Sequence, residues 1–164
     1  INFKTGFWEN IFYLPSVRKE ERFFREKAWE ILDFFELGHL GNEMADTLAY
    51  GDARFLGVAV AMATGAEMLL LDEPAAGLNP VETDRLMNIL RKINALGKTV
   101  LLIEHDMKLV MSISNQVTVV SFGKKIADGT PSEIATNPDV MEAYLGSGAL
   151  VSTGKEHIKK DDNN

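Results

Sequence analysis

At 164 residues and 46% hydrophobic, the chain is long enough for one domain with a real core, or for a sizeable part of a larger one. Its 17 basic against 24 acidic side chains give a formal net charge of −7, which excludes the broad positive field that attracts nucleic-acid phosphates. With no cysteine, disulfides, thiolate metal sites and thiol nucleophiles are excluded, and a reducing cytoplasm suits the composition.

The first residue is Ile1, and no basic start followed by an apolar secretion segment is present, so the start of the gene product is expected upstream. Glu20 to Glu36 places Phe24, Ala28, Ile31, Leu32 and Phe35 at helical spacing between charges, with Gly38 as the stop. Asp52 to Thr64 is apolar on nearly every side after Arg54, as in a helix enclosed by other elements. The longest uncharged apolar stretch, Phe55 to Ala66, is well below the roughly 20 residues needed to cross a bilayer. Met68 to Leu71 reads as an interior strand.

Asn79 is then an N-cap, Pro80 suits the first helical position, and Glu82 completes a capping box. Leu86, Ile89, Leu90, Ile93 and Leu96 form one face of that helix, and Gly97 ends it. Thr99 to Ile103 is a second buried strand, so strand, helix, strand predicts a right-handed parallel crossover and an α/β sheet. A short helix over Met107 to Ile113 leads to a hairpin, Val117 to Ser121 and Lys125 to Ala127, around Gly123. Thr130-Pro131 and Asn137-Pro138 start two brief helices, and the polar tail from Ser152 to Asn164 has no periodicity.

The chemistry concentrates where the first strand ends. An apolar run finishing in Asp72 and Glu73 delivers one candidate magnesium ligand and one candidate base to a sheet edge, and His105 ends the neighbouring strand at the same edge. Phosphoryl transfer needs such groups placed around a terminal phosphate and an oriented water. An apolar tetrad followed by an acid is, alone, an ordinary strand and turn, and a lone histidine after a strand is an ordinary loop residue. Likewise Tyr50-Gly51-Asp52 alone is a turn and helix cap. The extended string and the pairing of His105 with Glu73 give these residues their interest.

Those residues resemble the ATP-binding-cassette ATPases. Leu70-Leu71-Asp72-Glu73-Pro74 is similar to the Walker B strand with its catalytic glutamate, Ala76-Gly77-Leu78-Asn79 to the D-loop, and Ile103-Glu104-His105-Asp106 to the switch-histidine segment. Leu48-Ala49-Tyr50-Gly51-Asp52-Ala53-Arg54 resembles the signature sequence. Together with Asn137-Pro138-Asp139-Val140 and Tyr144-Leu145-Gly146, these details look like the ATPase subunit of branched-chain amino acid importers.

The resemblance implies an α/β fold: part of a P-loop nucleotide-hydrolase core, with parallel strands and crossover helices, behind an N-terminal helical subdomain. It divides the chain into a helical subdomain over 1–50, the later part of the core over 51–146 and a disordered tail over 147–164. It implies ATP and magnesium as cofactors, Asp72 as the metal ligand, and Glu73 and His105 as catalytic residues. Tyr50, Gly51, Asp52, Gly77, Leu78 and Asn79 would meet nucleotide. The implied partners are a second ATPase subunit and transmembrane permease subunits, with no nucleic acid, at the cytoplasmic face of the plasma membrane. Two alternatives accompany this: a non-catalytic interaction module, and an ATPase serving lipid or lipopolysaccharide export.

The sequence also departs from the family. No Gly-x-x-x-x-Gly-Lys-Ser/Thr string occurs in it, and the glutamine loop that normally precedes the helical subdomain is absent, so the chain alone is not expected to bind ATP tightly. Ala49 stands where many members place a serine, Val60 where an arginine is common, and Asp52 where glutamine or glutamate is usual. An acid at Asp52 is repulsive to phosphate unless it turns away as a cap.

Overall fold

The structure, a computed structural model, describes residues 15–145. The expected resemblance of residues 1–14 to the helical subdomain and the expected disordered tail over 147–164 lie outside the described residues. The chain divides into two compact units, Ile1–His105 and Asp106–Asn164.

The first unit opens with α1, Pro15–Phe34. Its stop is not Gly38. The amide of Leu37 donates to Leu32 O at 2.8 Å and that of Glu36 to Asp33 O at 2.9 Å, the paired bonds of a Schellman ending, with Glu36 at φ 61°. A side chain there costs about 1 kcal/mol, so sequence reading places such a stop at glycine. Two short 3₁₀ turns, Gly38–Leu40 and Ala45–Thr47, lead to α2, Tyr50–Ala63. Gly51, Phe55, Val58 and Ala59 are its buried residues, whereas Val60 is exposed. α2 is therefore covered on one side and not enclosed as its composition suggests.

β1, Met68–Asp72, and β2, Thr99–Ile103, pair in parallel with Met68 opposite Thr99 and Asp72 opposite Ile103. Between them runs α3, Pro80–Ala95, with the full capping box: Asn79 Oδ1 accepts from the amides of Val81 and Glu82, and Glu82 accepts from the Asn79 amide. Leu86, Ile89, Leu90 and Ile93 form its buried face, each stabilising the fold by about 1.5–3 kcal/mol through burial. Leu96, expected on that face, lies beyond the last turn as the C-cap and is exposed.

α2 packs on β1 and α3 on β2. The register puts Leu69, Leu71, Val100 and Leu102 on one sheet face, and only that face is covered. The opposite face presents Met68 (47% exposed), Leu70 (70%), Leu101 (46%) and Ile103 (59%) to solvent. Both strands read as doubly buried because residues 68–71 and 100–103 are apolar without alternation; both helices lie on the same side.

The second unit contains α4, Met107–Ile113, the antiparallel pair β3, Val117–Ser121, and β4, Lys124–Gly129, then α5, Pro131–Ala135, and α6, Pro138–Leu145. Val117, Val119, Ala127, Ile134 and Val140 form its core, flanked by Met107, Val110, Met111 and Ile126. β4 is longer than expected: Lys124 pairs with Ser121 at one end, Asp128 and Gly129 pair with Thr118 and Val117 at the other, and a register irregularity lies between Val119 and Val120.

Candidate functional site

β1 delivers Asp72 as its last residue, exposed and opposite Ile103. The amide of Glu73 extends the ladder by donating to Ile103 O at 2.9 Å, and the chain then turns, with Ala76 donating to Glu73 O and Leu78 to Ala75 O, both at 3.1 Å. Held between ladder and turn, Glu73 adopts φ 44°, a left-handed conformation costing a non-glycine residue about 1 kcal/mol. Its Oε1 stands 3.4 Å from His105 Nδ1, with the side chains 53% and 73% exposed respectively, so both groups reach solvent. They form an ion pair when the imidazole is protonated. The strand pairing that aligns Asp72 with Ile103 brings these side chains to one edge.

The start of α2 meets the loop after β1. The Tyr50 hydroxyl donates to Ala76 O at 3.0 Å, and a Cβ on Gly77, at φ 78°, would lie 2.9 Å from the Tyr50 ring. Gly77 is thus required twice, by its backbone and by the ring above it. Leu78 is half-buried, and Asn79 is committed to capping α3. Gly51 is buried, and a Cβ there would collide with the Glu82 carboxylate, so this glycine lets the capping box of α3 approach α2. Ala49, the N-cap of α2, makes no side-chain capping bond. Asp52 does not turn back as a cap; its Oδ1 accepts from Arg85 Nη1 at 3.1 Å, which sets a positive charge against the carboxylate beside Tyr50 and Gly51.

Three further residues join these segments. Glu104, at the end of β2, accepts from the Ala75 amide at 2.9 Å and from the His105 amide at 3.3 Å. Arg85 donates from Nη2 to Phe35 O at 2.7 Å and to Glu36 O at 3.2 Å, and its guanidinium stands 4.3 Å from the centre of the Phe55 ring. Its Nε is 3.3 Å from Glu36 Oε2 but makes no hydrogen bond. Glu82 spans two jobs, capping box and contact with Gly51. Glu104 lies in the segment Ile103-Glu104-His105-Asp106, but nothing in its spacing signals a bond 29 residues away. Arg85 is a charge on an amphipathic helix, with no local signal at all.

The residues present fit a magnesium ion only as a shared ligand. Asp72 is an exposed carboxylate at a strand end, and among the described residues no group of three potential metal ligands converges. Magnesium bound through one carboxylate, waters and phosphate oxygens suits that arrangement.

A parallel strand–helix–strand unit whose first strand ends in two acids beside an imidazole defines an α/β protein with its polar groups gathered at one sheet edge. A family model described as "AAA domain, putative AbiEii toxin, Type IV TA system" matches residues 8–112, and one described as "Branched-chain amino acid ATP-binding cassette transporter" matches residues 124–149. The chain is 50% identical over 143 residues to the high-affinity branched-chain amino acid transport ATP-binding protein BraF of Pseudomonas aeruginosa, covering 87% of this chain and 56% of BraF. It is 30% identical to the lipopolysaccharide export system ATP-binding protein LptB of Haemophilus influenzae, covering 85% of this chain and 58% of LptB. A crystal structure of a nucleotide-free ATP-binding cassette from an ABC transporter superposes with a TM-score of 0.70 at 31% identity, covering 89% of this chain and 59% of that one. The chain belongs to the ATP-binding-cassette ATPases, on the branched-chain amino acid transporter side of that family. It spans a little over half the length of the relatives it matches.

Proposed function

We propose that this chain supplies the water-activating part of an ATP-binding-cassette ATPase that drives branched-chain amino acid import. The observation that carries the reading is Glu73, held in a left-handed turn at the end of β1 with its carboxylate 3.4 Å from His105. Glu73 accepts the proton of the attacking water, and His105 orients that carboxylate and meets the terminal phosphate. Magnesium, when bound with ATP, neutralises phosphate charge; Asp72 offers it one carboxylate. Tyr50, Gly51 and Asp52 face the nucleotide of a second ATPase subunit, with the charge of Asp52 offset by Arg85, while Gly77, Leu78 and Asn79 line the same interface.

The phosphate cradle comes from elsewhere, since no Gly-x-x-x-x-Gly-Lys-Ser/Thr string occurs in these 164 residues. Closure of two subunits around ATP then moves paired permease subunits, because ATP binds the closed state better. Among the described residues no helix is long and apolar enough to cross a membrane, and a peripheral place at the cytoplasmic face, through α1, suits this role. The import reading is favoured over lipopolysaccharide export by identities of 50% to BraF against 30% to LptB.

Mixing the chain with a polypeptide carrying the P-loop half of BraF tests the reading. Magnesium-dependent ATP hydrolysis that neither polypeptide shows alone supports it. A second reading is a non-catalytic interaction module, and stable association without turnover decides for that module.

A further inference from the structure

We infer that Tyr50 and Glu104 are positioning residues that clamp the loop between β1 and α3 from two sides, fixing Glu73 through its neighbours; this rests on the reading of Glu73 given above. The two bonds fall on consecutive residues. Glu104 Oε1, from the end of β2, accepts from the Ala75 amide at 2.9 Å, and the Tyr50 hydroxyl, from the start of α2, donates to Ala76 O at 3.0 Å.

The direction of the second bond is forced. Arg54 Nε stands 3.1 Å from the Tyr50 oxygen and can only donate, so the single phenol proton is left for the Ala76 carbonyl. The Tyr50 ring also rests over Gly77, where a Cβ would lie 2.9 Å away. Between these anchors the loop closes two turns of its own, Ala76 to Glu73 O and Leu78 to Ala75 O. The first of those turns includes the carbonyl of Glu73 itself. Glu104 additionally accepts from the amide of His105, so one carboxylate fixes both the loop after Glu73 and the backbone of the imidazole that Glu73 contacts. Displacement of the first turn of α2 or of the end of β2 is therefore transmitted to the acid.

Amide exchange on the whole 164-residue chain, read by NMR, tests the clamp without nucleotide. Glu104→Ala should speed exchange of the Ala75 amide by about tenfold or more, Glu104→Gln, which retains an acceptor, should restore protection, and Tyr50→Phe should speed the Ala76 and Leu78 amides while those of α3 stay unchanged. In the ATP-hydrolysing mixture described above, Glu104→Ala and Tyr50→Phe should lower kcat by about tenfold to a hundredfold, and Glu104→Ala should leave KM for ATP within about twofold, as expected when a reacting group is misplaced. Unchanged exchange in either variant overturns the clamp, and unchanged kcat overturns its positioning role. A wild-type mixture that hydrolyses no ATP while the exchange contrast holds supports the clamp and rejects the reading of Glu73.

Discussion

The Arg85 guanidinium stands 3.1 Å from the Asp52 carboxylate, joining α3 to the first turn of α2, with the two side chains only 23% and 24% exposed. The same guanidinium donates to the carbonyls of Phe35 and Glu36, which end α1. One side chain thus serves three helices. Arg85→Met should destabilise the chain by about 2–3 kcal/mol, below the range for a fully buried pair because water reaches part of this one. Arg85→Lys should recover little, because a point charge cannot reach acceptors that a planar fork spans. Urea unfolding reads both, and an unchanged midpoint for Arg85→Met refutes the node.

How far the sequence reveals this arrangement depends on the distance over which each feature is encoded. The capping box of Asn79 and Glu82, the alternation of strand and helix, and the cap-then-proline starts at Thr130 and Asn137 are local, and the described residues follow them. The stop of α1 at Glu36 is also local, but it breaks the preference for glycine, and the Arg85 contacts that accompany it come from 49 and 50 residues away. The one-sided cover of β1 and β2 is not local at all, since unbroken apolar runs such as residues 68–71 and 100–103 look identical whether one face or two are buried. At the site, Asp72, Glu73 and His105 are legible as strand ends, whereas the roles of Glu104 and Arg85 exist only once the chain is folded.

Glu73 is the residue on which turnover is expected to depend. In the P-loop-completed mixture, Glu73→Gln keeps the shape of the side chain and removes its basicity, so turnover should fall by at least about 10²-fold while ATP binding persists. His105→Ala should lower turnover by a smaller factor, because it removes the partner at 3.4 Å and leaves the carboxylate in place. Steady-state hydrolysis together with binding of a fluorescent ATP analogue separates the two effects. Full turnover in Glu73→Gln rules out the base.

Acid should weaken the second unit through Asp128. Hydrogen bonds from Gln116, Lys125 and Thr118 hold its carboxyl below the ordinary value of 3.8, and the Thr130 amide and hydroxyl hold that of Glu133 below its own ordinary value of 4.5. A depressed folded-state value means that the unfolded chain binds the proton more readily, so the contribution is complete well above pH 3.8 and is lost as pH falls through the lowered value. Asp128→Asn should therefore be less stable than wild type near neutrality, with the gap narrowing below about pH 4. Urea unfolding of both proteins across that range checks the sign, and a gap that widens in acid contradicts it.

The open face of β1 and β2 predicts association. Parallel strands are ordinarily covered on both faces, and Leu70, flanked in the register by Leu101 and Ile103, is the most exposed apolar side chain on this one. Water around these residues is released when another apolar surface covers them, at about 25 cal/mol per Å², so covering one leucine contributes on the order of 2 kcal/mol. The isolated chain should self-associate as its concentration rises, and Leu70→Lys should raise the concentration for half-association by about tenfold or more, with helix content unchanged by circular dichroism. A P-loop-bearing polypeptide that covers the same face should compete with self-association and disperse it. Sedimentation equilibrium distinguishes the outcomes: a wild-type chain that stays monomeric at all concentrations would show that this face does not drive association.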